Sequence, residues 1–215
     1  MYFLTRFELD FKKRSTMKAL VSPNLFHGAV ESSFPGERKR CLWRIDSLAG
    51  RNYLLLLSSE KPNLEHAVKQ FGVDNAEQLW ETKEYTPLLD RIKDGTQWRF
   101  RLTANPTKSC KNGNEKEKRG TVYAHITPEY QKKWLLERSE KNGFTLEENS
   151  FSVVEHKWYK FFKGSVRKHP VTLLSVTYEG YLTVKDAELF KNTLVGGLGR
   201  GKAYGMGLLT VVKAR

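Results

Sequence analysis

From residue 2 to residue 9 aromatic and branched side chains mix in the manner of a first strand. Ser22 then reads as an N-cap with Pro23 at the first helical position, opening a helix that runs to about residue 33, ahead of the breaker Pro35-Gly36. Two strand-like stretches follow, 41–45 and 53–57, with a turn at Gly50 between them. Pro62-Asn63 opens a short helix through Phe71, and residues 80–85 make a fourth strand. The order is βαββαβ, that of a ferredoxin-like domain.

The second half repeats this plan without visible sequence identity. Residues 90–95 are a link, and the alternation over 98–104 predicts a strand. Residues 108–120 are polar and charged, which predicts a loop. Pro128 starts a helix that ends near Gly143, with Trp134, Leu135 and Leu136 toward a core. Strands at 151–162 and 171–184 flank a basic hairpin, and Leu174, Val176 and Tyr178 keep the period of a half-buried strand. Asp186 caps a helix through Leu194, a glycine-rich loop follows, and 208–212 is the last strand. The fold class is therefore α+β, two tandem ferredoxin-like (RRM-like) domains at residues 1–90 and 96–215.

Charge narrows the function. Lys and Arg number 37 against 24 Asp and Glu, a formal charge of +13 on 215 residues, which suits a polyanionic partner. Between residues 157 and 169 stand Lys157, Lys160, Lys163, Arg167 and Lys168 with no acid, interleaved with Trp158, Tyr159, Phe161 and Phe162. Basic residues hold phosphates and aromatics stack bases, although the same rings also suit the buried face of a strand. After Glu188 no carboxylate side chain occurs. Two cysteines, Cys41 and Cys110, make neither a disulfide framework nor a CxxC pair, so a zinc site is disfavoured and a reducing cytoplasm is expected. No apolar run approaches the length of a membrane span, and no signal-peptide pattern opens the chain.

Six glycines lie between residues 196 and 207, with Arg200 and Lys202 among them. Gly196, Gly201 and Lys202 fit the start of a P-loop, but Ala203 stands where the magnesium-binding hydroxyl belongs, and the loop joins helix to strand in the wrong order. Contact with a polyanion and simple tight packing remain as readings. Of five histidines, none forms HExxH or a recognisable ligand pair. His27 sits on the first helix with Asn24 at i−3 and Glu31 at i+4, and an imidazole can move protons near neutrality. An ordinary surface histidine fits the same pattern.

In order along the chain stand Tyr2-Phe3-Leu4, Leu25-Phe26-His27, Leu42-Trp43-Arg44, Arg99-Phe100-Arg101, Ala104-Asn105-Pro106, Glu179-Gly180 and Gly199-Arg200-Gly201-Lys202-Ala203-Tyr204-Gly205, then Gly207-Leu208-Leu209. This series resembles the CasE family, CRISPR repeat-processing endoribonucleases of the I-E Cascade system within the RAMP superfamily. The resemblance covers the whole chain and implies two ferredoxin-like domains. It implies cleavage of the repeat transcript at the 3′ base of a stem-loop, by 2′-hydroxyl attack, without metal or cofactor. It also implies retention of the cut RNA, Cascade subunits as partners, and a monomer when alone, away from any membrane. The family's catalytic histidine falls on His27. Where some relatives carry an assisting tyrosine, this chain has Asn24, and Asn24 and Lys202 are candidates for catalytic support. Candidate RNA-binding residues are Arg99, Arg101, Lys108, Arg200 and Lys202 together with the hairpin cations Lys157, Lys160, Lys163, Arg167 and Lys168. The alternative is a non-catalytic RNA-binding subunit of the same architecture; a basic structural protein of another ribonucleoprotein accounts for the charge but not for the ordered motifs.

Overall fold

A computed structural model describes residues 1–36, 40–74, 78–110, 120–163 and 169–214. The first half contains β1 (Phe3–Glu8), α1 (Arg14–Val21), α2 (Asn24–Glu31), β2 (Leu42–Leu48), β3 (Arg51–Ser58), α3 (Glu65–Phe71), β4 (Glu81–Glu84) and a single turn α4 (Thr86–Leu89). Its strands form an antiparallel sheet in the order β2-β3-β1-β4. The second half contains β5 (Gln97–Ala104), β6 (Thr107–Cys110), β7 (Thr121–Ala124), α5 (Pro128–Ser139), β8 (Phe144–Thr145), β9 (Phe151–Lys163), β10 (His169–Val184), α6 (Ala187–Gly196) and β11 (Leu209–Lys213). There the order is β11-β5-β10, with β9 and the short β8 sharing the far edge of β10. In both halves the fourth strand lies beside the first, the first beside the third and the third beside the second. That is the ferredoxin-like order, twice.

Three expectations need correction. The first helical region is two helices, since α1 precedes α2. Ser22 is the C-cap of α1, its N–H bonded to the Lys18 carbonyl, and does not cap α2; Pro23 holds the N-cap position and its carbonyl accepts the His27 N–H. The basic run Lys12-Lys13-Arg14 and the narrow buried strip of Thr16 and Ala19 hide α1 from a periodicity reading. Finally, Lys108 stands on a paired strand, because β6 and β7 form a hairpin where a loop is expected; residues 111–119 lie outside the described residues. The Asp186 cap is present, its carboxylate accepting the Leu189 N–H.

Two apolar clusters hold the halves. Phe7, Phe26, Trp43, Leu54, Leu56 and Phe71 fill the space between the first sheet and α1–α3. Trp98, Leu102, Trp134, Tyr178, Phe190 and Leu209 fill the second half, and Leu42, Leu57 and Tyr85 of the first half belong to that same cluster. Both faces of the first sheet are thus covered. This is why Leu42, Trp43 and Arg44 are all buried on β2, although successive strand residues point to opposite faces.

Candidate active site

The His27 side chain is carried by α2, whose apolar positions Phe26, Ala29 and Val30 seat the helix on the sheet. That leaves the next face, with Asn24, His27 and Glu31, turned away from the core. His27 Nε2 lies 3.2 Å from Glu31 Oε1, with the two side chains 24% and 34% exposed. Asn24 sits one turn before His27, and its Oδ1 is buried with no hydrogen-bond partner among the described residues.

The glycine-rich loop comes to this helix from the other half of the chain. Its short 3-10 turn, Lys202–Tyr204, packs on α2 and β2. The glycines make the approach feasible: a Cβ on Gly197 would lie 2.7 Å from Leu42 Cδ2, and one on Gly205 would lie 2.8 Å from the Trp43 ring. Two of the loop's six glycines, Gly197 and Gly205, thus serve packing against β2, one of the readings left open by the sequence. Lys202 Nζ donates to the Gly196 carbonyl at 2.8 Å, placing an ammonium at the C-terminal end of α6.

Together these elements line a pocket of about 350 Å³ bounded by His27, Val30, Glu31, Arg40, Cys41, Lys202 and Ala203. His27 and Lys202, 175 positions apart, are thus brought to one cavity. Arg40 and Cys41 enter from the segment before β2, and nothing in their sequence spacing announces it. Burial first, and the Arg40 charge second, lower the Lys202 ammonium below its ordinary range. Burial first, then the carboxylates of Glu31 and Glu60, push the Cys41 thiol up to about 11. The thiol is therefore neutral near pH 7, and among the described residues the pocket lining carries an imidazole, a carboxylate and two cations. Such a set can transfer a proton and stabilise a phosphoryl oxygen.

The other candidates stand elsewhere. Lys157 lines an adjoining interdomain pocket with Pro23, Phe26, Trp43, Tyr159, Tyr204 and Gly205. Lys160 and Lys163 are exposed on β9, while Arg167 and Lys168 lie outside the described residues. Arg200 is exposed beside the glycine turn, its backbone bridged to Asn105. Arg101 is held by Asp46, at 3.1 Å, and by Glu179, and Arg99 lies 3.6 Å from Glu179. These two guanidiniums face carboxylates in a groove between the halves and do not line the His27 pocket. Lys108 lines a separate cavity with His125, Tyr130, Lys133, Trp134 and Arg138. Burial, with Arg138 and Lys108 adding to it, lowers the His125 imidazole below its ordinary range.

The family model described as CRISPR associated protein matches residues 1–213. The CRISPR-associated endoribonuclease Cse3 of Thermus thermophilus is 30% identical over 220 residues, spanning 97% of this chain and 99% of that protein. A structure of Thermus thermophilus Cse3 bound to an RNA representing a pre-cleavage complex is similar at a TM-score of 0.79 and 28% identity, over 98% of each chain. The Cas6e protein of Escherichia coli K-12 shares the fold, at a TM-score of 0.59 and 20% identity over the whole of both chains. A match along nearly the full length, to one family model and to one curated relative, shows that this chain belongs to the CRISPR-associated protein family, in its CasE branch.

Proposed function

We propose that the protein binds the stem-loop of a CRISPR repeat transcript and cleaves it on the 3′ side of the stem, remaining with the product as a Cascade subunit. The observation that carries this reading is the meeting of His27 and Lys202 in one pocket, in a chain 30% identical to an endoribonuclease over 97% of its length. Chemically, the 2′-oxygen of one ribose attacks the adjacent phosphorus, and the bond to the 5′-oxygen breaks. The products are a 2′,3′-cyclic phosphate and a 5′-hydroxyl. His27 moves a proton, either from the 2′-hydroxyl or to the leaving 5′-oxygen. Lys202 and Arg40 face the charge that builds on the phosphoryl oxygens, in a cavity where burial strengthens each interaction. An arriving phosphate also offsets the desolvation and the Arg40 repulsion that lower Lys202. None of these steps assigns work to a metal ion.

The test is cleavage of the cognate repeat RNA in excess EDTA by wild type and by His27→Ala, with binding followed by gel shift. Wild type is expected to cut, and His27→Ala to lose about 10²-fold or more in rate with affinity kept. Equal cutting by both removes His27 from the chemistry. Tight binding with no cutting by either protein makes the chain a binding subunit.

A further inference from the structure

We propose that Glu31 is the positioning residue of His27: its carboxylate accepts the imidazole Nε2–H and leaves Nδ1 as the nitrogen that exchanges a proton with the RNA. The inference rests on the ribonuclease reading above. Its first support is geometric, since His27 Nε2 and Glu31 Oε1 stand 3.2 Å apart across one helical turn. The helix backbone fixes that spacing, so the pair needs no loop to assemble it. Both side chains are more than half buried, where a charge-assisted hydrogen bond is stronger than at an open surface.

A second support is electrostatic. Among the described residues, the titratable groups that face His27 in the pocket from other elements are Lys202, Arg40 and Cys41. Lys202 and Arg40 are cations that disfavour a charged imidazole, and the thiol is neutral. Glu31 is the carboxylate among the described lining residues, and its charge reaches the cavity, because it helps to raise Cys41. A carboxylate in a pocket that must admit a phosphodiester weakens binding of that anion. The carboxylate's place there is explained by what it does for the histidine, not by what it does for affinity.

The proton balance is the same in direction for either role of His27. As a base, the neutral ring holds its hydrogen on Nε2 and receives the 2′-hydroxyl proton on Nδ1, while the 2′-oxygen bonds to phosphorus and the 5′-oxygen departs with a proton from water. As an acid, the charged ring gives its Nδ1 proton to the departing 5′-oxygen, and the 2′-hydroxyl proton leaves to water. In both cases the charged ring is the form that Glu31 stabilises. Loss of the carboxylate therefore moves the His27 limb of the rate profile toward lower pH, whichever limb it is.

The experiment is single-turnover cleavage of repeat RNA between pH 5 and pH 9 by wild type, Glu31→Gln and His27→Ala, with stem-loop affinity measured for each. Glu31→Gln keeps size and an acceptor oxygen while removing the charge. It is expected to cut about tenfold more slowly, with the histidine limb displaced to lower pH and affinity unchanged or tighter. In parallel, the His27 ring is titrated by NMR in RNA-free protein, where its midpoint should fall in Glu31→Gln. A profile and a titration superimposable on wild type overturn the proposal, as does a uniform loss of rate with neither midpoint moved. Wild-type cutting by His27→Ala instead removes the ribonuclease assignment of His27, and is read separately from the titration.

Discussion

Gly205 has φ +78°, and a Cβ placed on it would stand 2.8 Å from the buried Trp43 ring. The ring has little room to withdraw, since Trp43 also meets Phe26 at 5.8 Å between centroids, and Phe26 precedes His27 on α2. Gly205→Ala therefore combines backbone strain with a push on the helix that carries the histidine. It is expected to cost about 1–3 kcal/mol in chemical denaturation and to slow cleavage more than it weakens RNA binding. A denaturation midpoint equal to wild type would reject this account of the loop. At this scale, part of the site is legible in the sequence. Asn24, His27 and Glu31 share a helix face by simple spacing, and Lys202 stands out within a glycine-rich segment. Arg40 and Cys41 do not announce themselves, because a strand start brings them in and no local period connects them to α2.

Along a single element, alternation sorts residues that a charge run lumps together. On β9 the pairing with β10 is unbroken from His156 to Lys163, so Lys157, Tyr159, Phe161 and Lys163 share one face, and Trp158, Lys160 and Phe162 share the other. The odd face looks toward the glycine turn, with Phe161 edge-on to Tyr204 at 5.2 Å and Lys157 and Tyr159 lining the pocket beside Pro23. If RNA enters over the His27 pocket, Lys157→Ala with Lys163→Ala removes two phosphate contacts. Stem-loop affinity should then fall, and the slope of log K against log salt should lose about two units. Lys160→Ala should leave that slope nearly unchanged. Equal effects from the two faces would place the RNA elsewhere on the hairpin. The strands β5 and β10 were readable because their apolar period of two survives. The helix α1 was not, since only Thr16 and Ala19 among its residues are buried and a basic run precedes it. The β6–β7 hairpin was equally hidden: four-residue strands of mixed polarity carry too few positions to show a period.

Across the whole molecule the two halves must hold His27 and Lys202 to one cavity, and Arg44 is the residue that ties them most directly. It is 2% exposed on β2. Its guanidinium donates to the Arg101 carbonyl at 2.9 Å, to the Leu208 carbonyl at 2.8 Å and to Thr210 Oγ1 at 2.8 Å, all in the second half. Within the first half it meets Asp46 through Nε at 2.7 Å and Nη2 at 2.5 Å. Asp46 in turn accepts from Arg101, which is also paired with Glu179. A buried charge so fully bonded need not add net stability over an apolar contact, but losing one partner leaves the rest uncompensated. Arg44→Ala is thus expected to cost about 3–5 kcal/mol in denaturant unfolding, with Asp46 left without its main counter-charge. Replacing both residues, as Arg44→Met with Asp46→Leu, should recover part of that loss, because no unpaired charge remains. Cleavage separates the architectural role from bulk stability. Under conditions where Arg44→Ala is still folded, its rate should fall further than its RNA affinity, since the pocket is assembled from both halves while the cations Lys157, Lys160 and Lys163 all stand on β9 within the second half. A variant that loses stability yet cuts at the wild-type rate while folded would show that the shared core around Leu42, Leu57 and Tyr85 aligns the site without the arginine.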